Sequence, residues 1–160
     1  MMSIWFLLNG ALLIWALWNV IESLAVHTTY CHFLLGFTGF LFFIFNWTRN
    51  AVFATIRNTE DRQKKIRLAK FSKKIMPYHR WTGTLSIILI VLHGTAVLYL
   101  YNFDMTNMKI LTGLLAALTM LALVLSGWYS LLIRHDLMTR NLHRRLGLSL
   151  FILVALHLAF

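Results

Sequence analysis

Long apolar runs without charged residues dominate the chain. A helix needs about 20 apolar residues to cross a hydrocarbon layer that is about 30 Å thick. Four runs meet this requirement: Met1–Ile21, Ala25–Thr48, Trp81–Phe103 and Ile110–Ile133. A fifth run, Leu146–Phe160, is shorter, and it reaches the required length only if its helix begins near Asn141.

This pattern predicts an all-α integral membrane protein, a single domain over residues 1–160 that forms a bundle of five transmembrane helices. The composition agrees, because 59% of the 160 residues are hydrophobic and one is proline, as in membrane proteins rather than soluble ones. A basic cytoplasmic loop, 49–78, is predicted between the second and third helices, and its segment RNTEDRQKKIRLAKFSKK is predicted to form an interfacial helix or loop near anionic lipid head groups. The five predicted helices are 3–23, 28–48, 79–102, 108–134 and 141–160.

The positive charge is concentrated in two of the predicted connections. Of the 15 Lys and Arg residues, ten lie between Arg49 and Arg80 and four between Arg134 and Arg145. Connections rich in Lys and Arg stay on the cytoplasmic side of a membrane. We therefore expect the amino terminus in the cytoplasm and the carboxyl terminus outside a bacterial cytoplasmic membrane. The net charge of +10 then indicates topology and contact with anionic lipid, and not binding to nucleic acid.

Two of the predicted helices carry the same pattern of histidines. HRWTGTLSIILIVLHG begins at His79 and HRRLGLSLFILVALHL begins at His143, and each has a second histidine fourteen residues later, at His93 and His157. Fourteen residues rise about 21 Å along an α-helix and miss whole turns by only about 40°. Each helix therefore presents both histidines on one face. Because the two helices cross in the same direction, His79 is predicted to meet His143 at an inner level, and His93 to meet His157 at an outer level.

Ionisable side chains inside a membrane are costly and usually face a partner or a site. One histidine would be satisfied by a neighbouring carbonyl, but this does not explain a repeated spacing. Zinc takes four ligands close together, which a separation of about 21 Å forbids, and a proton relay would not need the repeat. Two haems fit best, each between two helices and each with one imidazole from either side.

Four residues next to the inner histidines suit such a site. Gly83 and Gly147 would remove side chains where a porphyrin approaches the backbone, or would allow close helix packing instead. Arg80 and Arg144 would pair with haem propionates, or would extend to the cytoplasmic interface instead.

The two histidine stretches resemble the haem-binding helices of the ferric reductase-like transmembrane superfamily. That group includes ferric reductases, NADPH oxidases and the membrane cytochrome that partners methionine sulfoxide reductase. The resemblance implies a bundle that encloses two b-type haems, one ligated by His79 and His143 and the other by His93 and His157. It also implies an oxidoreductase component that carries electrons from a cytoplasmic donor to an acceptor on the outer side.

Many members of that superfamily have a cytoplasmic domain that binds flavin and nicotinamide. This sequence has no glycine-rich nucleotide fingerprint, so we expect electrons from a separate flavin-containing reductase or from a quinol. The alternatives are a quinol-linked cytochrome b subunit of a redox complex, a haem sensor or haem-handling protein, and a membrane anchor without a cofactor.

Three histidines lie outside the repeat. His27 and His32 flank Cys31 on the outer side and are predicted in a polar interfacial loop, or would gather a metal substrate near the outer haem instead. His135 is predicted in a solvated basic loop. The GFTGF motif, which contains Gly36 and Gly39, is predicted to allow close helix packing.

Overall fold

The computed structural model describes residues 4–26, 31–101, 103–133 and 136–160; His27 and His135 lie outside these ranges. The described residues form five helices and no strand, and each helix is long and apolar enough to cross a membrane. The predicted all-α class and the number of candidate spans are confirmed. The helices are α1 Ile4–Val26, α2 Cys31–Asn58, α3 Arg62–Tyr101, α4 Met108–Leu132 and α5 Leu137–Ala159.

Helices that are adjacent in the sequence pack on each other. The most extensive contacts join α2 to α3 and α4 to α5, while α1 packs on α2 and α3 packs on α4. Large apolar side chains such as Trp18 and Leu132 remain exposed on the outside of the bundle, which is typical of a surface that faces lipid. All five helices contribute to the buried apolar centre, which includes Leu12, Phe43, Ile87, Met120 and Leu150.

The connection predicted over residues 49–78 is mostly helical rather than an irregular loop. α2 continues to Asn58 and α3 begins at Arg62, so most of this segment is a helical hairpin with its turn at residues 59–61. We call residues 49–78 the basic hairpin. The segment is too polar for a membrane span, but Lys, Arg, Gln, Ala and Leu are good helix formers, and these residues make up much of it.

Local contacts stabilise the basic hairpin. The Asp61 carboxylate caps α3, because its Oδ1 accepts hydrogen bonds from the backbone N–H groups of Gln63 at 2.8 Å and Lys64 at 3.2 Å. Ala51 and Ala54 of α2 are buried. They lie on the helix that makes the most extensive contact with α3.

The other helix ends differ from the prediction by a few residues. α5 begins at Leu137 rather than near Asn141, because the Asp136 side chain caps it by accepting a hydrogen bond from the N–H of Thr139 at 2.7 Å. Pro77 lies inside α3, where its missing N–H removes one backbone hydrogen bond. In spite of this loss, α3 continues through the proline, from the basic hairpin into the apolar span.

Replacing Ala51 with Leu should separate the two helices of the basic hairpin. Ala51 has 0% of its surface exposed, so the added atoms have no room. Trypsin should then cut the Lys- and Arg-rich segment several-fold faster than in the parent protein, as followed by electrophoresis in detergent. Val52→Leu, at a half-buried neighbouring position, is the matched control. Equal and immediate cleavage of all three proteins would mean that the segment is an open loop.

Candidate functional site

The four histidines of the repeat lie on α3 and α5, and their rings meet in two pairs. The ring centres of His79 and His143 are 6.3 Å apart with an angle of 70° between the ring planes. Those of His93 and His157 are 6.4 Å apart with an angle of 80°. The structure thus brings together the side chains that the fourteen-residue spacing predicts to meet. We call His79 and His143 the inner pair, and His93 and His157 the outer pair.

A filled layer separates the two pairs, which lie about 21 Å apart along the helices. Ser86 on α3 and Leu150 on α5 each lie midway between the two histidines of their helix, and they are 0% and 1% exposed. The Ser86 hydroxyl donates a hydrogen bond of 2.6 Å to the carbonyl oxygen of Gly39, which joins α3 to α2 in this layer. The two pairs are therefore separate sites.

In the outer pair, backbone carbonyls fix the imidazole tautomer. Nδ1 of His93 lies 2.7 Å from the carbonyl oxygen of His32, and Nδ1 of His157 lies 3.0 Å from that of Lys109. A carbonyl oxygen only accepts hydrogen bonds, so both Nδ1 atoms carry the proton and donate. Nε2 of each ring then keeps its lone pair, as in histidines that ligate a metal.

In the inner pair, the partners of Nδ1 are side chains. Nδ1 of His143 lies 2.8 Å from the hydroxyl oxygen of Ser126. That hydroxyl donates its own hydrogen to the carbonyl oxygen of Leu123 at 2.7 Å, so it accepts from His143. Nδ1 of His79 lies 3.0 Å from the side-chain amide of Asn46. The proton therefore lies on Nδ1 in His93, His157 and His143. In His79, the position of the proton depends on the orientation of the Asn46 amide.

The two rings of each pair lie close together, with centres 6.3 Å apart in the inner pair and 6.4 Å apart in the outer pair. Each pair therefore offers two imidazoles, from α3 and α5, that could hold one group between them.

The two glycines predicted to lie beside a porphyrin face side chains of α2. A Cβ atom added at Gly147 would lie 3.0 Å from the Trp47 ring, and one added at Gly83 would lie 3.5 Å from Nδ2 of Asn46. At Gly147 the helix-packing alternative therefore describes the structure, because the aromatic ring of Trp47 takes up the space.

Three other glycines make room for the histidine rings. A Cβ atom at Gly36 on α2 would lie 2.9 Å from the His93 ring, and one at Gly113 on α4 would lie 2.9 Å from the His157 ring. Gly127, also on α4, lies beside the His143 ring at 3.5 Å. Gly113 and Gly127 are fourteen residues apart, the same spacing as the histidines, and this signal in the sequence was missed.

Three arginines belong to the inner level. Arg80 and Arg144 each follow an inner histidine and are exposed, and Nη2 of Arg144 donates to Oδ1 of Asn141 at 3.4 Å. The third, Arg49 on α2, was not predicted. It is half-buried, contacts Sδ of Met76 at 3.7 Å and lies within electrostatic reach of both inner imidazoles.

His32 lies inside the helix predicted over 28–48 and not in the predicted interfacial loop. It lies in the first turn of α2, and only 3% of its surface is exposed. Its ring is nearly parallel to the ring of His93, with centres 6.5 Å apart, and it meets Tyr101 edge-on at 5.7 Å. Because its backbone carbonyl holds Nδ1 of His93, this turn of α2 is part of the outer site.

Each histidine pair brings two imidazole rings together. Among the residues that the structure describes, no three His, Cys, Asp or Glu side chains form a group that could hold a metal ion. A comparison of the chain with protein-family models, with curated proteins and with solved structures found no match.

The tautomers follow from these contacts and can be measured directly. Nitrogen NMR of the protein without added metal or cofactor, labelled with ¹⁵N at histidine, should show the proton on Nδ1 for His93, His143 and His157. The His93→Gln, His143→Gln and His157→Gln variants assign the signals. Signals from Nε2–H tautomers at the outer pair would contradict the described hydrogen bonds.

Proposed function

We propose that this chain is a dihaem b-type electron-transfer protein of a bacterial cytoplasmic membrane. It passes electrons from a donor on the cytoplasmic side to an acceptor on the outer side. The observation that carries the proposal is the geometry of the two histidine pairs, with ring centres 6.3 and 6.4 Å apart at two levels of one bundle. The resemblance of the two histidine stretches to the ferric reductase-like superfamily supports it.

The number of ligands favours haem over a metal ion held by protein alone. Each pair supplies two nitrogens, whereas a structural zinc site takes four protein ligands. Haem iron is bound by the four nitrogens of its macrocycle and takes axial ligands from the protein. When bound, haem supplies one-electron chemistry, because its iron alternates between the ferric and ferrous states.

The residues of the chain would hold the two groups in different ways at the two levels. His79 and His143 would ligate the inner haem, and His93 and His157 the outer one. The Nδ1 hydrogen bonds orient the rings and make Nε2 a better ligand. At the inner level, the exposed guanidinium groups of Arg80 and Arg144 would pair with carboxylates of the cofactor, for which a guanidinium is well shaped.

The basic hairpin suggests where the electron donor binds. It continues directly into His79 on α3, and its exposed helix carries many Lys and Arg residues. In this part of the described chain the one ion pair is Lys64 with Asp61, at 3.8 Å, so most of these cations are available to a partner. A positive surface attracts an acidic protein and speeds its association. We infer that the donor is an acidic, flavin-containing reductase rather than a quinol in the membrane.

Replacing His93 with Ala should remove the outer haem and leave the inner one. The haem content per chain should fall by about half, since a haem that loses one of its two axial ligands is held weakly. The pyridine haemochrome assay and protein quantification measure this ratio. Leu92→Ala, at an exposed neighbouring position, is the matched control. Full haem content with an unchanged spectrum in the His93 variant would refute the pairing.

Replacing Gly113 with Leu should also remove the outer haem, although Gly113 is not a ligand. A side chain there would collide with the His157 ring, which lies 2.9 Å from an added Cβ atom, and would push it out of line with His93. The inner haem should remain. Gly10→Leu is the control, because an added Cβ atom at Gly10 meets nothing within 4 Å. Loss of haem in the control alone, or in neither variant, would contradict this geometry.

Replacing Lys70, Lys73 and Lys74 together with Glu should slow reduction by an acidic soluble flavoprotein about 10-fold or more at low salt, because attraction becomes repulsion. High salt should reduce the difference. Stopped-flow absorbance of the haems measures the rate, and haem content should stay constant. Asp104→Lys in the connection between α3 and α4 is the control for a charge change elsewhere. Equal rates in the parent and the hairpin variant at low salt would exclude docking there.

A further inference from the structure

A half-buried cation lies where the basic hairpin joins the inner pair. Arg49 follows Asn46 by three residues on α2, so both side chains lie on the helix face that meets α3, where the Asn46 amide touches Nδ1 of His79 at 3.0 Å. The Arg49 guanidinium contacts Sδ of Met76 at 3.7 Å and lies over the Phe53 ring, 5.1 Å from its centre. Its charge is thereby held between α2 and α3, within electrostatic reach of both inner imidazoles.

Arg80 brings a second positive charge to the same place. It follows Met76 by four residues on α3, which places the two side chains on one face of that helix, and it lies within electrostatic reach of Arg49. Like charges that are close to each other repel. Arg144 differs from these two residues, because its guanidinium is bonded to Asn141 on its own helix, α5.

No carboxylate among the described residues forms an ion pair with either of these arginines. In the described part of the chain the one ion pair joins Lys64 to Asp61, at 3.8 Å, and Asp61 lies at the far end of the basic hairpin, in its turn. Met76 and Phe53 offer Arg49 only a weak sulfur acceptor and a ring face. The five N–H donors of the Arg49 guanidinium therefore have no oxygen acceptor in the part of the chain that the structure describes.

An oxyanion would complete this pair of cations. A guanidinium binds a carboxylate or a phosphate through two parallel N–H···O bonds, and the negative charge cancels the repulsion between the two arginines. A charge that is partly removed from water is costly unless it is paired. Arg49 therefore lowers the stability of the chain unless an anion binds beside it.

We propose that Arg49 and Arg80 form a binding site for one oxyanion, beside the inner pair where α2 meets α3. The site lies at the ends of two apolar candidate spans, so the carboxylate or phosphate that it binds belongs to a molecule with an apolar body. Two kinds of molecule would bring such a group here: an anionic phospholipid, through its phosphate, and haem, through its propionates. The second source rests on the proposed function, and the first does not.

Three variants, each lacking one positive charge, test the site. Arg49→Gln and Arg80→Gln each remove one member of it. Arg57→Gln is the matched control, because Arg57 is an exposed arginine about two turns farther along α2. Arg80 is exposed as well, so its replacement leaves the packing of the bundle intact and decides the question if the Arg49 variant does not fold.

The first measurement is thermal unfolding, followed by circular dichroism, of the protein without added haem in detergent micelles that contain phospholipid. With phosphatidylcholine, Arg49→Gln should unfold at the same temperature as the parent or higher, because it lacks an unpaired charge. Phosphatidylglycerol should raise the Tm of the parent and of Arg57→Gln by about 3 °C if its phosphate fills the site. Arg49→Gln and Arg80→Gln should then lose this rise.

The second measurement is titration with haem and with haem dimethyl ester, in which both carboxylates are blocked. It is made in the His93→Ala background, so that the inner site is the one titrated, and absorbance measures both affinities. If a propionate fills the site, the protein should bind haem about 10-fold more tightly than the ester. Arg49→Gln should bring the two affinities close together, because the removed charge and the blocked carboxylate belong to one contact. Arg57→Gln should keep the preference for haem.

The outcomes separate this site from the proposed function. A rise in Tm with phosphatidylglycerol that needs Arg49 and Arg80 assigns the site to lipid phosphate, and a preference for haem over its ester that needs them assigns it to the cofactor. If the parent binds no haem, the proposed function fails and the lipid measurement alone decides on the site. If both effects are absent from the parent, or are the same in Arg49→Gln, Arg80→Gln and Arg57→Gln, the two arginines do not bind an oxyanion and the proposal is overturned.

Discussion

The hydrogen bond at Nδ1 of each half-buried imidazole is the interaction on which the rest of the site depends. A polar ring inside an apolar bundle is costly unless a partner satisfies it. The four partners lie on α2 and α4, on the helices that pack against α3 and α5 and not on the histidine helices themselves. The pairing of α2 with α3 and of α4 with α5 therefore orients all four rings. The glycines of α2 and α4 leave room for the rings in these positions.

This arrangement explains why the two histidine helices can face each other without packing closely. α3 is supported by α2 and α4, and α5 is supported by α4, with a smaller contact to α1. The histidines span the distance between α3 and α5 at two levels, and Ser86 and Leu150 fill the layer between those levels. The third and fifth helices are thus held mainly by their neighbours and not by each other.

The sequence predicted the parts of this structure that depend on a single helix. The number of helices follows from apolar length, and the two histidine pairs follow from the repeat at His79 and His143, because residues fourteen apart share one helix face. The partners Asn46 and Ser126 could not be predicted, since which residue of a neighbouring helix meets Nδ1 depends on the register of packing. His32 was placed in a loop because its surroundings are polar in sequence, whereas in the structure its ring is enclosed by the rings of neighbouring residues.

Other differences have equally specific causes. Apolar length could not decide between a helix and a loop for the basic hairpin, because a charged helix needs only good helix formers and a cap such as Asp61. Gly83 and Gly147 were predicted to lie beside the cofactor because they follow the inner histidines in the sequence. The glycines that touch the rings are those of α2 and α4, among them Gly113 and Gly127. These two are fourteen residues apart, as the histidines are, but this spacing points to the histidine rings only when α4 is known to pack on α5.

The haem content of the purified protein, with its absorption spectrum, tests the central claim most directly. The chain should be expressed with sufficient haem supply, purified in detergent and assayed for haem per chain in the oxidised and dithionite-reduced states. Two matched histidine pairs predict two haems per chain, both low-spin with sharp reduced bands of the kind that two imidazole ligands give. A protein that is folded and helical by circular dichroism but binds no haem, either as purified or after titration, would contradict the account.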